Sequence, residues 1–312
     1  MKKVLVTGSV GFDYCFNIHG RIRDKIILEK SSIKALDLLF TAKELNMRYG
    51  GTAGNIAYGL AKLGLKPSLF SVAGKDYLEN YKPYFDSLGV EDLLQIKDGH
   101  TARYYAISDE AGELIAVFQP NTHTRLEQES LKKYNLRKFD FAVFSAGTAK
   151  SIAKHIAEAK KANPKLIAIL DPGPILNFFP TAVLNAAIAN CDILIANEVE
   201  MELIIRKHKI SPDKILAMGV ETIIRTLGEA GCEVITKKEN KIIPVKKARV
   251  VVETTGAGDA FRAGFVYALV RGADVFTAAS IGNIVAKTSL KVEGGQSYQP
   301  DLKLITNILN KA

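Results

Sequence analysis

Two hydrophobic rhythms take turns along this chain: short runs of Val, Ile, Leu and Phe that read as strands, and longer stretches whose apolar positions recur at helical spacing. The strand-like runs are Lys3–Gly8, Pro67–Val72, Phe139–Ser145, Leu166–Leu170, Asp192–Ala196, Thr222–Thr226 and Glu233–Thr236. Helical spacing covers Ala53–Lys62, which stops at Gly64, then Ser151–Ala162 before Pro164, Gly258–Arg271 and Val275–Leu290. Uniformly apolar strands separated by such helices predict an α/β fold with a mostly parallel central sheet covered on both faces.

Two stretches leave this rhythm. Tyr14–Tyr49 holds short extended pieces with basic residues, and Thr101–Phe118 reads as a hairpin turning near Asp109–Gly112. Both lie between core elements, so they predict one small β-sheet lid, built from about 14–48 and 101–118. It would sit over the strand ends where open α/β sheets bind ligands. No repeat, low-complexity tract or linker interrupts the chain, and a single domain over 1–312 with a lid is expected.

Composition and charge mainly exclude. The net charge is +9, but the basic residues are spread along the chain without interleaved aromatics, so no nucleic-acid partner is expected. A modest positive field does suit a phosphorylated ligand. No apolar run approaches the roughly 20 residues of a membrane span, and Met1–Val6 is too short for a secretory core, so a cytoplasmic protein is expected. Cys15, Cys191 and Cys232 lack any C-x-x-C spacing and suggest neither a disulfide framework nor a zinc cluster.

The chemistry concentrates in Glu253-Thr254-Thr255-Gly256-Ala257-Gly258-Asp259-Ala260-Phe261, between the strand-like Ala248–Val252 and an apolar helix. Backbone N–H groups at a helix start have no intrahelical partners and the macrodipole adds positive potential, so the turn can hold an anion such as a transferring phosphoryl group. Asp259, in the first helical turn, would reach the same pocket and could take a proton from an attacking hydroxyl. The plainer reading is a helix-capping aspartate after turn glycines.

A second glycine turn, Gly50-Gly51-Thr52-Ala53-Gly54-Asn55-Ile56-Ala57, also feeds a helix. Paired glycines would let ligand hydroxyls approach the main chain, and the Asn55 amide offers a donor and an acceptor. Asp13 follows the first strand, where a carboxylate can accept two neighbouring ribose hydroxyls. Strand-to-helix packing and a turn aspartate are the plainer alternatives.

These segments resemble the ribokinase-like, or PfkB, family of sugar and nucleoside kinases, whose second signature is close to D-T-T-G-A-G-D-A-F, and the resemblance runs over most of the chain. It implies a three-layer α/β/α fold and ATP-dependent phosphorylation of a small molecule. Asp259 maps to the catalytic base, and the amides of Gly256, Ala257 and Gly258 to the anion hole. Asp13, Gly50, Gly51 and Asn55 fall on the acceptor side. Asn197-Glu198-Val199-Glu200 looks like the family's N-x-x-E motif, with Asn197 near the phosphates and Glu200 bound to Mg2+ through water. The loop Thr226-Leu227-Gly228-Glu229-Ala230-Gly231 resembles the ATP-side loop, with Thr226, Gly228 and Gly231 at the nucleotide. Asn283 maps to the adenine-pocket wall, and Gly294-Gly295 to the closure of the nucleotide side. Glu253 replaces the family's usual aspartate at a position that often helps bind a monovalent cation, which leaves potassium dependence open.

Local similarity around Asp13, Asn55, Arg262 and Gln296 is to bacterial adenosine kinases, which implies a nucleoside acceptor, with Phe16, Tyr104 and Phe118 as aromatic candidates for contact with the base. A ribose or hexose kinase is the alternative. The lid is also a surface through which a homodimer could form. An NAD-dependent oxidoreductase is disfavoured: Thr7-Gly8-Ser9-Val10-Gly11 imitates a dinucleotide fingerprint, but Tyr14 stands where the third glycine belongs.

Overall fold

The computed structural model describes residues 2–25, 27–29, 32–35 and 38–311, and of 27–29 and 32–35 the backbone alone. Among these, nine strands form one sheet in the order Asn240–Ile243, Cys232–Thr236, Thr222–Thr226, Ile193–Asn197, Ile167–Leu170, Phe141–Phe144, Val4–Thr7, Ser68–Phe70, Glu91–Asp92. All neighbours are parallel except at one edge, where Cys232–Thr236 pairs antiparallel with both of its neighbours.

Period-two alternation divides the strand residues between two cores. Val4, Val6, Phe141, Val143, Ile169, Ile193, Ile195 and Ile224 face the helices Thr52–Lys62, Ala257–Val270 and Val275–Ser289. Leu5, Ala142, Phe144, Ala168, Leu170, Leu194, Ala196 and Ile223 face Ala149–Ala162, Thr181–Ile188, Glu198–His208 and Pro212–Ala217. The inner strands are therefore apolar at consecutive positions, the pattern that marked the sheet as doubly covered. Truncating such a buried Leu, Ile or Phe costs about 2–5 kcal/mol in proteins generally.

The sheet has a switch point. From Val4–Thr7 the chain adds strands on one side through Ser68–Phe70, and on the other through Phe141–Phe144. The crevice at the carboxyl ends of these strands is where ligands of open α/β sheets bind. Over it lies a four-stranded sheet in the order Leu114–Gln119, Ala102–Ser108, Gly11–Ile18, Ala42–Gly50, which draws on both sequence excursions. It is mixed: Ala102–Ser108 and Gly11–Ile18 run parallel, and the other pairs antiparallel. Residues 26, 30, 31, 36 and 37 of the expected lid span 14–48 lie outside the described residues.

One difference from the sequence reading and one agreement with it bear on the site. Ala248–Val252 is not a strand: Val250, Val251 and Val252 are exposed, and Val252 N–H donates to Leu290 O at 2.7 Å, so the segment is strapped to a helix end and pairs with no strand. The Gly8–Gly11 turn leads into a lid strand and no helix follows it, which removes the strand-to-helix turn a dinucleotide fingerprint needs. Among the described residues no helix is long and apolar enough to cross a membrane.

Candidate active site

The helix Ala257–Val270 carries Asp259, and close packing fixes its place. A Cβ at Gly264 would lie 2.7 Å from Val285 Cγ2, and one at Gly59 would lie 2.5 Å from Ala263 Cβ, so helices on both sides approach it at glycines. Gly256, the N-cap, is left-handed (φ 76°), a conformation glycine adopts without steric cost. Of the three amides expected to hold an anion, that of Ala257 donates to Thr254 O at 3.2 Å within the turn.

The second glycine turn behaves differently. The first-turn amides of the helix Thr52–Lys62 are already used: Thr52 N–H donates to Ser9 Oγ at 2.9 Å, and Ala53 and Gly54 N–H donate to Ser9 O at 3.0 and 3.2 Å. The amides of Thr52, Ala53 and Gly54 at this helix start are therefore not free for an anion. Its glycines make room for the chain around Asp13: a Cβ at Gly50 would lie 2.4 Å from both Asp13 carboxylate oxygens, and one at Gly51 would lie 2.6 Å from Val10 Cα. The positions a side chain would take at them are thus filled by Asp13 and by the chain around Val10.

Asn55 is buried on the helix Thr52–Lys62 and donates through Nδ2 to Asp259 Oδ2 at 2.8 Å. Its Oδ1 accepts from Gln296 Nε2 at 3.0 Å, which fixes which end of the amide faces the acid. Gln296 also donates to Tyr81, whose hydroxyl donates to Gly50 O at 2.9 Å. A continuous hydrogen-bond chain thus joins the Gly50 carbonyl, at the end of a lid strand, to Asp259. Gly295 packs on Asn55, where a Cβ would meet the amide at 2.6 Å, and a Cβ on Gly256 would lie 2.7 Å from Gly295 Cα, so Gly294-Gly295 sits against Asn55 and the Gly256 turn. Burial pushes the Asp259 carboxyl up to about 6; Arg262 and the Asn55 hydrogen bond oppose the rise, and Glu200 adds to it.

Asp13 lies in the middle of the lid sheet, cross-strand from Tyr104 on one side and Arg48 on the other, with Phe118 opposite Tyr104. Cross-strand partners share a face, so Phe118, Tyr104, Asp13 and Arg48 form one row. Phe16 is three positions from Asp13 and belongs to the other face, which takes it out of the set of base-contacting candidates. Burial raises the Asp13 carboxyl to about 7, Glu253 and Asp259 add to this, and Arg48 opposes it. Arg48 spans lid and body: Nη1 donates to Glu253 Oε2 at 2.8 Å and Nη2 to Glu293, while Gly294 N–H also donates to Glu253 Oε2 at 2.9 Å.

On the other side of Asp259 two cavities meet at Thr226, Gly228 and Gly258. The outer, of about 290 Å³, has apolar walls from Val245, Val251, Phe261, Ala286 and Leu290, and also contains Gly231 and Asn283. Asn283 donates to Ile243 O at 2.9 Å, which ties its helix to the sheet edge. The inner, of about 330 Å³, holds Asn197, Glu200, Asp259, Arg262 and Asp171. Asn197 and Glu200 form a reciprocal cap: Glu200 N–H donates to Asn197 Oδ1 at 2.8 Å, and Asn197 N–H to Glu200 Oε2 at 2.9 Å. One Glu200 oxygen is thereby committed to the helix.

An acid at a glycine turn, with the Asp13 carboxylate on one side and cavities of about 290 and 330 Å³ on the other, is an arrangement a small-molecule kinase can use. The pattern of the pfkB family of carbohydrate kinases matches residues 20–302, and the chain belongs to that family, whose members use ATP to phosphorylate hydroxyl groups. The nucleoside kinase of Methanothermobacter thermautotrophicus is 28% identical over 303 residues, covering 96% of this chain and 93% of that one. The nucleoside kinase of Methanocaldococcus jannaschii is 27% identical over 314 positions, covering 100% and 98%. The structure of Burkholderia thailandensis nucleoside kinase in complex with inosine is similar with a TM-score of 0.85 at 25% identity, over 99% of this chain and 97% of that one. A ribokinase from Thermotoga maritima shares the fold, with a TM-score of 0.83 at 22% identity over 99% and 100%.

Sequence reasoning assigned no role to Asp171, Arg262, Gln296, Tyr81 or Arg48. Asp171 had a usable signal, an acid directly after the apolar strand Ile167–Leu170, at the sheet end where ligands bind.

Proposed function

We propose that this kinase transfers the γ-phosphoryl group of MgATP to the 5′-hydroxyl of a nucleoside, with adenosine the first candidate. The observation that carries the reading is the row Phe118–Tyr104–Asp13: an apolar, partly exposed surface continues outward from the carboxylate that would accept ribose hydroxyls. Phe118 is 49% exposed, so a base laid on it gains burial that a free sugar does not. That remote binding helps orient the reacting hydroxyl. Asp259 takes the hydroxyl proton as the oxygen attacks the γ-phosphorus, and ADP leaves. Thr226, Gly228, Gly231 and Asn283 bound the ATP side, with Asn197 near its phosphates. Among the described residues no three His, Cys, Asp or Glu side chains converge as a metal cage. The remaining Glu200 oxygen suits a magnesium ion held mainly by phosphates and water. Arg48 already sets a positive charge against Glu253, so the reading invokes no monovalent cation.

The test compares kcat/KM for adenosine, guanosine, inosine, cytidine, ribose, fructose and fructose 6-phosphate with MgATP, since that ratio measures differential transition-state binding. A purine nucleoside is expected to lead by about tenfold or more. A sugar that outpaces every nucleoside by that factor replaces this reading with the sugar-kinase one.

The lid built from 14–48 and 101–118 belongs to this same kinase unit and also serves, in this proposal, as a dimer contact between two copies. The edge strand Leu114–Gln119 is exposed throughout and presents Leu114, Ile115, Val117 and Phe118, an apolar edge of the kind proteins cover. Sedimentation should find a dimer that Val117→Lys dissociates; a monomer at micromolar concentration removes the contact.

A further inference from the structure

The sequence places an arginine one turn into the catalytic helix, and the fold buries it. Arg262 is 7% exposed and Asp171, its partner across the crevice, 0%. Nη2 donates to Asp171 Oδ1 at 2.5 Å and Nε lies 2.5 Å from Oδ2 as an ion-pair contact, so one edge of the guanidinium is held against the carboxylate. Among the described residues Nη1 donates to nothing. It abuts the phosphoryl-binding turn: a Cβ on Gly258 would lie 2.7 Å from Nη1, so any other residue there would fill the gap between the guanidinium and the turn. Arg262, Gly258, Asp259, Thr226 and Asn197 all line the inner cavity.

A buried ion pair needs a reason. Replacing such a pair by apolar groups is often neutral or stabilising, so stability alone does not account for this one. A guanidinium fixed along one edge with a free nitrogen beside an anion turn is instead preorganised for charge that develops on a transferring phosphoryl group. We infer that Arg262 is a catalytic residue, whose Nη1 donates to an oxygen of the transferring phosphoryl group in the transition state, with Asp171 as the positioning residue that aims it. The assignment rests on this chain being a kinase and holds for either a nucleoside or a sugar acceptor. The experiment therefore uses whichever acceptor gives the highest rate with the wild-type enzyme.

Arg262→Met alone would strand a buried carboxylate, so the test is the double variant Arg262→Met/Asp171→Leu, which removes both charges. Its kcat should fall by about 100-fold or more, with KM for ATP and nucleotide Kd within about threefold, because the lost contact forms only in the transition state. A folded double variant, judged by circular dichroism and Tm, with kcat within about tenfold of wild type overturns the assignment and leaves the pair structural. Should the double variant fail to fold, Arg262→Lys keeps a charge against Asp171 but cannot hold a carboxylate and a phosphoryl group at once. It is expected to lose at least about tenfold in kcat at unchanged nucleotide Kd; kcat within about threefold overturns the proposal. Whatever Arg262 does, a silent Asp259→Asn would sink the base assignment separately.

Discussion

Replacing Asp259 with Asn lowers kcat by about 10³-fold while KM for ATP stays within about threefold, since general-base catalysis is typically worth 10²–10⁴ and the nucleotide cavity keeps its other walls. The substitution is close to isosteric, so the helix and its packing stay in place. What changes is chemical. Asn cannot accept the hydroxyl proton, and its amide turns a donor or a poorer acceptor toward Asn55 Nδ2, which now donates to the carboxylate at 2.8 Å. Gln296 holds Asn55 Oδ1 from behind, so the Asn55 amide cannot flip to accommodate the change without losing that bond. Stability should move the other way. Burial raises the folded-state carboxyl of Asp259 to about 6, above its ordinary value of 3.8. Stability from such a group is present at low pH and lost as pH rises through about 6, so at pH 8 the ionised acid costs stability that Asn relieves. Thermal melts and steady-state kinetics at pH 8 check both signs. A variant that retains kcat within tenfold of wild type removes Asp259 as the base.

What the sequence disclosed here was local, and what it withheld was long-range. The apolar strand runs and the G-A-G-D turn are written in consecutive residues, and each became the expected element, with Ala257–Val270 starting at the glycine turn. Ala248–Val252 shows the limit: its β-branched run predicts a strand, yet it lies outside the sheet, because pairing depends on a neighbour that local sequence does not specify. The site's couplings share that character. Asn55 meets Asp259 across 204 residues, Arg262 meets Asp171 across 91, and Gln296 meets Asn55 across 241. No spacing rule reaches that far. Phe16 is a different case, since the parity of a strand already sets it on the face opposite Asp13. Gly50 and Gly51 were legible as a turn, but not that Asp13 would pack against Gly50, because that requires the register between Gly11–Ile18 and Ala42–Gly50.

Asp13→Asn should lower kcat/KM for the acceptor at pH 8 by about 10- to 100-fold or more, with KM for ATP unchanged, because substrate hydroxyls lose their charged acceptor and stay imperfectly paired. The pH dependence makes the test sharper. Burial raises Asp13 to about 7, with Glu253 and Asp259 adding to the rise, and Asp259 itself stands near 6. If both must be ionised in the free enzyme, wild-type kcat/KM bends downward below pH about 7 and approaches two decades per pH unit below about 6, as a coupled pair. The variant keeps only the Asp259 limb, one decade per unit, displaced to lower pH. Stability again follows the sign of the shift. A carboxyl raised from 3.8 to about 7 favours folding below about pH 4, and that contribution fades as pH climbs through 7. Asp13→Asn should therefore raise Tm at pH 8 and leave it nearly unchanged at pH 4. Among the described residues Arg48 opposes the rise at Asp13, and it is also paired with Glu253 and Glu293. A variant whose acceptor kcat/KM, acid limb and Tm all match wild type would place the acceptor elsewhere on the lid.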